Sequence, residues 1–406
     1  MRKSNQPQKL VFPKDFLWGA ATAAHQVEGN NLHNDWWEWE KRKGVKDSGI
    51  ACDHYHRFKE DFNLAKELNH NAHRFSLEWS RIEPEEGKWN NQAVKHYQNV
   101  LQTLKEKKMK TFVSLYHVTL PLWFAKKGGF EKKENIEYFK RFCLFAVNAL
   151  ADKVDFWITI NEPKTIVAAG YLQGFWPPQK KNKLLALRVY RNLALAHKEV
   201  YQAIKNEFPN AQVGAVINMP ALHYYGNHFL SRLVPSFIKI LLNHSFYRLT
   251  GKTHDFLGLN YYLFHQLRFQ DLKTKVNKRK LEETILLESS DLGWQFYHQG
   301  IYEALMSLKK YHLPIYITEN GVADAKDKYR EKFIINHLQW VHQAIQEGVN
   351  VRGYLYWSLI DNFEWSFGFK PRFGLIEVNY KTQKRKIRKS AYTYAKICKE
   401  NAITLQ

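Results

Sequence analysis

Long apolar runs are missing from this chain. No stretch of about 18 apolar residues occurs, which excludes a membrane-spanning helix. Cysteine is scarce: Cys52, Cys143 and Cys398 are the three present, odd in number and far apart. That excludes a disulfide framework and points to reduced thiols in a cytoplasmic protein. The first residues, Met1-Arg2-Lys3-Ser4-Asn5-Gln6, are basic but lack the apolar core of a signal peptide. No Pro/Gly/Ser-rich joint or low-complexity linker divides the chain, so residues 1–406 are expected to form a single domain. Metal spacing is also missing. His54 and His56, beside Asp53, stand two apart and would not share a helical face, and no partner set follows them, so no metal is expected.

Acidic residues are outnumbered, 39 against 61 basic ones, for a formal charge of +22. Denser basic runs lie at 273–280 and 381–389. Charge of this kind reports solubility and non-specific attraction, so solvated lysine-rich surfaces are expected, with no specific nucleic-acid partner. The run 233–249 mixes apolar, aromatic and basic residues. It is read as an outer helix packed on a sheet and not as a segment lying on a membrane.

Aromatic residues, by contrast, are plentiful: 15% of the chain, with 13 Trp. Their faces suit sugar rings as well as ordinary cores. Eight β-favouring runs recur, at 16–20, 72–77, 111–116, 156–160, 213–217, 256–259, 315–318 and 353–357. Helical patterns intervene at 56–68, 93–107, 135–150, 193–206, 299–310 and 332–347. Strands alternating with helices at intervals of roughly 40 to 60 residues predict an α/β fold of the (β/α)8 TIM barrel type. No Gly-x-Gly-x-x-Gly turn follows the first strand, which counts against a dinucleotide-binding open sheet.

Two runs end alike. Phe156-Trp157-Ile158-Thr159-Ile160-Asn161-Glu162-Pro163 and Ile315-Tyr316-Ile317-Thr318-Glu319-Asn320-Gly321 each lead a buried strand into a carboxylate and then a breaker. Barrel enzymes work at this end of their strands, so Glu162 and Glu319 are expected to face one cleft. Paired carboxylates suit acetal chemistry: one protonates the leaving oxygen, and the other attacks the anomeric carbon or activates water. The other strand ends carry Gln26, Arg74, His117, Asn161, Asn218, Asn260, Tyr262 and Trp357. Amides and charged groups bond hydroxyls, and aromatic planes stack on the apolar face of a sugar.

These residues carry a family resemblance. Phe16-Leu17-Trp18-Gly19-Ala20-Ala21-Thr22-Ala23-Ala24-His25-Gln26-Val27-Glu28-Gly29 resembles the opening signature of glycoside hydrolase family 1. So do Thr159-Ile160-Asn161-Glu162-Pro163, Ile317-Thr318-Glu319-Asn320-Gly321, Trp357-Ser358-Leu359-Ile360-Asp361-Asn362-Phe363-Glu364-Trp365 and Arg372-Phe373-Gly374-Leu375. The resemblance implies a retaining β-glycosidase without metal or organic cofactor, acting on a small-molecule or oligosaccharide β-glycoside. It implies Glu162 as general acid/base and Glu319 as nucleophile. Gln26, His117, Asn161, Glu364 and Trp365 match glycone-binding positions, Trp357 the platform beneath the sugar, and Phe373 a further site aromatic. Arg74, Asn260 and Tyr262 match groups that support the nucleophile, with Asn218 behind them.

One departure stands out. Val118-Thr119 follow His117 where the family carries Trp-Asp, which removes an apolar contact near the glycone. The loops 226–253 and 267–288 fit no family motif, and such loops shape the aglycone entrance. The expected activity is hydrolysis of terminal β-D-glucosides, with β-galactosides and β-fucosides alongside. The alternatives are a 6-phospho-β-glycosidase, which Glu364 opposes by like-charge repulsion, and a catalytically idle sugar- or nucleic-acid-binding relative.

Overall fold

The computed structural model describes residues 8–43, 47–225, 243–268 and 288–405. The eight β-favouring runs form β1 (Leu17–Ala21), β2 (Ala72–Ser76), β3 (Lys110–Tyr116), β4 (Phe156–Asn161), β5 (Gln212–Asn218), β6 (Phe256–Asn260), β7 (Ile315–Asn320) and β8 (Val351–Trp357). Each pairs in parallel with its neighbours in chain order, and β8 returns to β1, closing a barrel. Parallel strands buried on both faces read as near-continuous apolar runs, which is why these eight are legible.

The barrel is packed on both sides. Inside its lower half, Phe112, Phe156, Phe256 and Tyr316 interlock, with Phe112 and Phe156 stacked at 4.3 Å between ring centroids. Outside, amphipathic helices bury one face each. Helix Asn91–Glu106 lays Ala93, Tyr97, Val100, Leu101 and Leu104 against the sheet, at the spacing of one helical stripe. Asn90 caps it, its side-chain oxygen accepting from the amides of Gln92 and Ala93. Strand Gln8–Val11 pairs antiparallel with Ala402–Leu405, tying together the two ends of the described chain.

Boundaries differ in places from the sequence reading. The helix expected at 193–206 spans Lys183–Glu207. Its first turns expose Leu184 and Leu187, which blurs the apolar stripe, while Asn182 caps the true start by accepting from Leu185 N–H. Several strands run one or two residues further than expected, so Asn161, Asn218, Asn260 and Asn320 are strand residues. Asn320 closes β7 where Asn-Gly suggested a turn, because its side chain is anchored by Tyr261 O and the Tyr354 hydroxyl.

Of the run 233–249, the described part from 243 is helical. It buries Phe246 and Tyr247, whose hydroxyl donates to Gly258 O in β6. The rest of that run, the basic run 273–280, and most of the loops 226–253 and 267–288 lie outside the described residues. Among the described residues, no helix is long and apolar enough to cross a membrane. His54 Nδ1 meets Asp61, which Arg385 also binds, so this histidine belongs to a buried ion network.

Candidate active site

The barrel ends place the polar groups. Register irregularities fall between Ile158 and Asn161 and between Ile317 and Glu319, just before the two acidic strand ends. Such irregularities re-aim side chains. Glu162 follows β4 directly, with φ 49°, and leads Pro163 into the helix Pro163–Val167. Gly321 lets the ends of β7 and β8 touch: a Cβ there would lie 1.8 Å from Trp357 O.

Glu319 sits between a cation and a phenol. Arg74 pairs with its Oε1 at 2.5 Å, and the Tyr262 hydroxyl donates to its Oε2 at 2.7 Å. Glu162 lines the same pocket, and its Oε1 accepts from Asn260 Nδ2 at 2.7 Å. Burial first, and then the charge of Glu319, push the Glu162 carboxyl up to about 7. The two acids therefore sense each other across one cleft.

Asn161 joins the two halves. Its Oδ1 accepts from Arg74 at 2.7 Å and from Asn260 at 3.3 Å. Its amide nitrogen is thus the group that faces His117 Nε2, at 3.3 Å. His117 then accepts at Nε2 and carries its proton on Nδ1. Burial, helped by nearby Arg74, holds its ring neutral. His117 Nδ1, Gln26 Oε1 and Asn218 Oδ1 are buried without a hydrogen-bond partner among the described residues and belong to residues lining the pocket. Buried polar atoms of this kind are costly unless something bonds them.

Aromatics and a third acid complete the wall. Glu364 accepts from Gln26 Nε2 at 3.3 Å and from the Trp357 indole. Burial and then Glu319 push its carboxyl up to about 8. The rings of Trp357 and Trp365 each lie nearly parallel to His117, at 6.2 and 6.1 Å. Phe373 borders the pocket beside Trp294 and Tyr262. The cavity holds about 250 Å³, near the small end for ligand sites, which suits one sugar ring better than a chain.

The structure gathers Gln26, His117, Asn161, Glu162, Asn218, Tyr262, Glu319, Trp357, Glu364, Trp365 and Phe373 around this cavity. Arg74 and Asn260 stand just behind, each bonded to one of the two acids. Asn260 and Asn218 correct the sequence reading. Expected at the nucleophile, both direct their amides to Glu162, at 2.7 and 3.5 Å, because β5 and β6 lie between β4 and β7. Phe175, Trp176, Leu263, Trp294 and Phe367 also line the pocket and were not anticipated. The one signal for Trp176 was its place before Pro177-Pro178, where a chain must turn. Val118, at the departure from the family pattern, lines the pocket with φ 72°, and Thr119 beside it donates to Glu78.

The comparisons with known proteins agree with this geometry. The sequence profile described as glycosyl hydrolase family 1 matches residues 8–234 and 238–403. Beta-glucosidase A of Thermotoga maritima is 34% identical, over 97% of this chain and 98% of its own. The 1,4-beta-D-glucan glucohydrolase of Thermotoga neapolitana is 32% identical, over 97% and 99%. The solved beta-glycosidase from Pyrococcus horikoshii superposes with a TM-score of 0.90 at 38% identity, covering 98% of this chain and 96% of that one. With its barrel and nearly its whole length matched, the chain belongs to glycosyl hydrolase family 1 and is a hydrolase of O-glycosyl bonds.

Proposed function

We propose that the protein is a retaining β-glycosidase that removes terminal, non-reducing β-D-glucosyl units, with β-galactosides and β-fucosides as further substrates. Residues 1–406 are read as one catalytic unit. The observation that carries this reading is the contrast between two facing carboxylates. Glu319 has a guanidinium on one oxygen and a phenol on the other, while Glu162 has its proton held to about pH 7 by burial and by Glu319.

That contrast supports the following roles. Glu162 donates its proton to the glycosidic oxygen as a Glu319 oxygen attacks the anomeric carbon from the opposite face. The aglycone leaves as an alcohol, and the sugar stays as an ester of Glu319. The ester carries no charge, so one of the two causes that raise Glu162 vanishes. Glu162, left ionised by that proton transfer, is now held in this form more easily and takes a proton from water, whose oxygen attacks the anomeric carbon and frees Glu319. Gln26, His117, Asn161, Glu364 and Trp365 hold the sugar hydroxyls, Trp357 lies beneath the ring, and Phe373 packs at its edge. Arg74 and Tyr262 support the nucleophile, and Asn260 and Asn218 support the acid/base.

The 6-phospho reading is less well supported. Among the described residues lining the pocket there is no lysine or arginine to pair with a phosphate. Comparing nitrophenyl β-glucoside with its 6-phosphate tests this: the proposal expects the unphosphorylated substrate to be preferred, and the reverse preference overturns it. Cys52, Cys143 and Cys398 are free and buried, which supports a reducing, cytoplasmic setting. The surplus positive charge is read as a solvated surface without a nucleic-acid partner.

A further inference from the structure

A second cavity, of about 220 Å³, opens beside the catalytic one. Asp35, Glu38, Trp39 and Arg42 of helix Asp35–Lys43 form one wall. Pro177, Pro178 and Gln179 form the other, and Lys126 stands at the edge. We propose that this cavity is a second carbohydrate-binding site, taking one neutral sugar unit.

Its chemistry favours an uncharged, hydroxyl-rich ligand. The acids Asp35 and Glu38 stand with the bases Arg42 and Lys126, and burial pushes the Asp35 carboxyl up to about 7, so the cavity carries little net charge with which to select an ion. Glu38 and Arg42 also pair with each other. An indole and two proline rings supply apolar faces of the kind on which pyranose rings lie. One polar atom stands out. Trp39 is 91% buried, and its Nε1–H has no hydrogen-bond partner among the described residues. A donor left in that state is costly, and a ligand hydroxyl that reaches it would satisfy it. Gln179 adds an exposed amide able to donate and accept.

The cavity is also connected to the catalytic pocket. A small internal cleft lined by Asp35, Trp36, Val118, Trp176, Pro177 and Pro178 shares walls with both. Trp36 precedes Trp39 by one turn and packs on Trp176 and Trp365 at 5.3 and 4.7 Å.

Calorimetric titration of cellobiose into the full chain carrying Glu319→Gln tests the proposal, since that substitution keeps the sugar intact. Two sugars per chain are expected. Trp39→Phe, which deletes the N–H and keeps the ring packing, should weaken one of them roughly fivefold, the loss of one hydrogen bond. Gln179→Ala, on an exposed turn where misfolding is not at issue, should weaken the same one. Glu364→Ala should weaken only the other, so this site and the catalytic reading fail separately. A stoichiometry of one that Trp39→Phe leaves untouched overturns the proposal. So does a second sugar that survives both Trp39→Phe and Gln179→Ala.

Discussion

Asn260 gives Glu162 a 2.7 Å hydrogen bond from a strand where it stands level with Glu319. A donor to the carboxylate favours its charged form, so this bond works against the burial that keeps Glu162 protonated. Asn260→Ala should therefore move the alkaline limb of the kcat/KM–pH profile upward. A limb that moves downward would contradict the assignment of Asn260 to the acid/base.

The wild-type limb itself is a prediction. Glu162 must hold a proton to act as an acid, and its carboxyl is pushed up to about 7 by burial and by Glu319. Turnover of glucosides with poor leaving groups should fall as pH rises through about 7. Glu162→Ala should cost such substrates roughly 10²–10⁴-fold and activated nitrophenyl glycosides much less. Equal losses on both would remove the acid role.

Stability should respond to Glu364. Its carboxyl is raised to about 8 when folded, from about 4.5. Over that window the native state binds the proton more tightly than the unfolded chain does. Stability from this group is therefore full at low pH and declines as pH climbs from about 4.5 to about 8. Glu364→Gln removes that decline. Melting temperatures should show the variant gaining on wild type between pH 5 and pH 9, by on the order of a few kcal/mol at the upper end. A constant difference across that range would contradict the raised carboxyl.

Arg74 and Glu319 form a buried ion pair in which each also bonds other groups. Arg74→Ala leaves the acid without its cation, which should destabilise the fold by about 3–5 kcal/mol. Denaturant midpoints measure this. A change below about 1 kcal/mol would mean the pair contributes little to the native state.

Much of this was legible in the sequence, for identifiable reasons. The barrel strands announce themselves because both faces are buried, as with the neighbours Trp157 and Ile158 or Ile315 and Tyr316. The acids and amides of the site stand out because polar residues are costly at such strand ends. Contacts that depend on three dimensions were not legible. Asn260 neighbours Glu319 in the ladder, yet its side chain crosses to Glu162, and no periodicity announces that choice. Trp176 and Trp294, from segments between barrel strands, and Phe367, from beyond the last one, reach the pocket where local pattern says nothing of direction. The early start of helix Lys183–Glu207 was hidden because Leu184 is 80% exposed, against the rule that apolar residues mark the buried stripe.

Glu319 as the attacking group also predicts rescue. Glu319→Gly should abolish turnover, and azide should restore it by entering the space of the lost carboxylate, giving a glycosyl azide of inverted configuration. Failure of azide, formate and acetate alike would count against that role.

The central claim is a double displacement at the anomeric carbon, and the configuration of the first-formed sugar reports on it directly. Proton NMR during hydrolysis of nitrophenyl β-D-glucoside should show β-glucose appearing first, with α-glucose following at the rate of mutarotation. If α-glucose appears first, a single displacement by water is at work, and Glu319 is not the nucleophile.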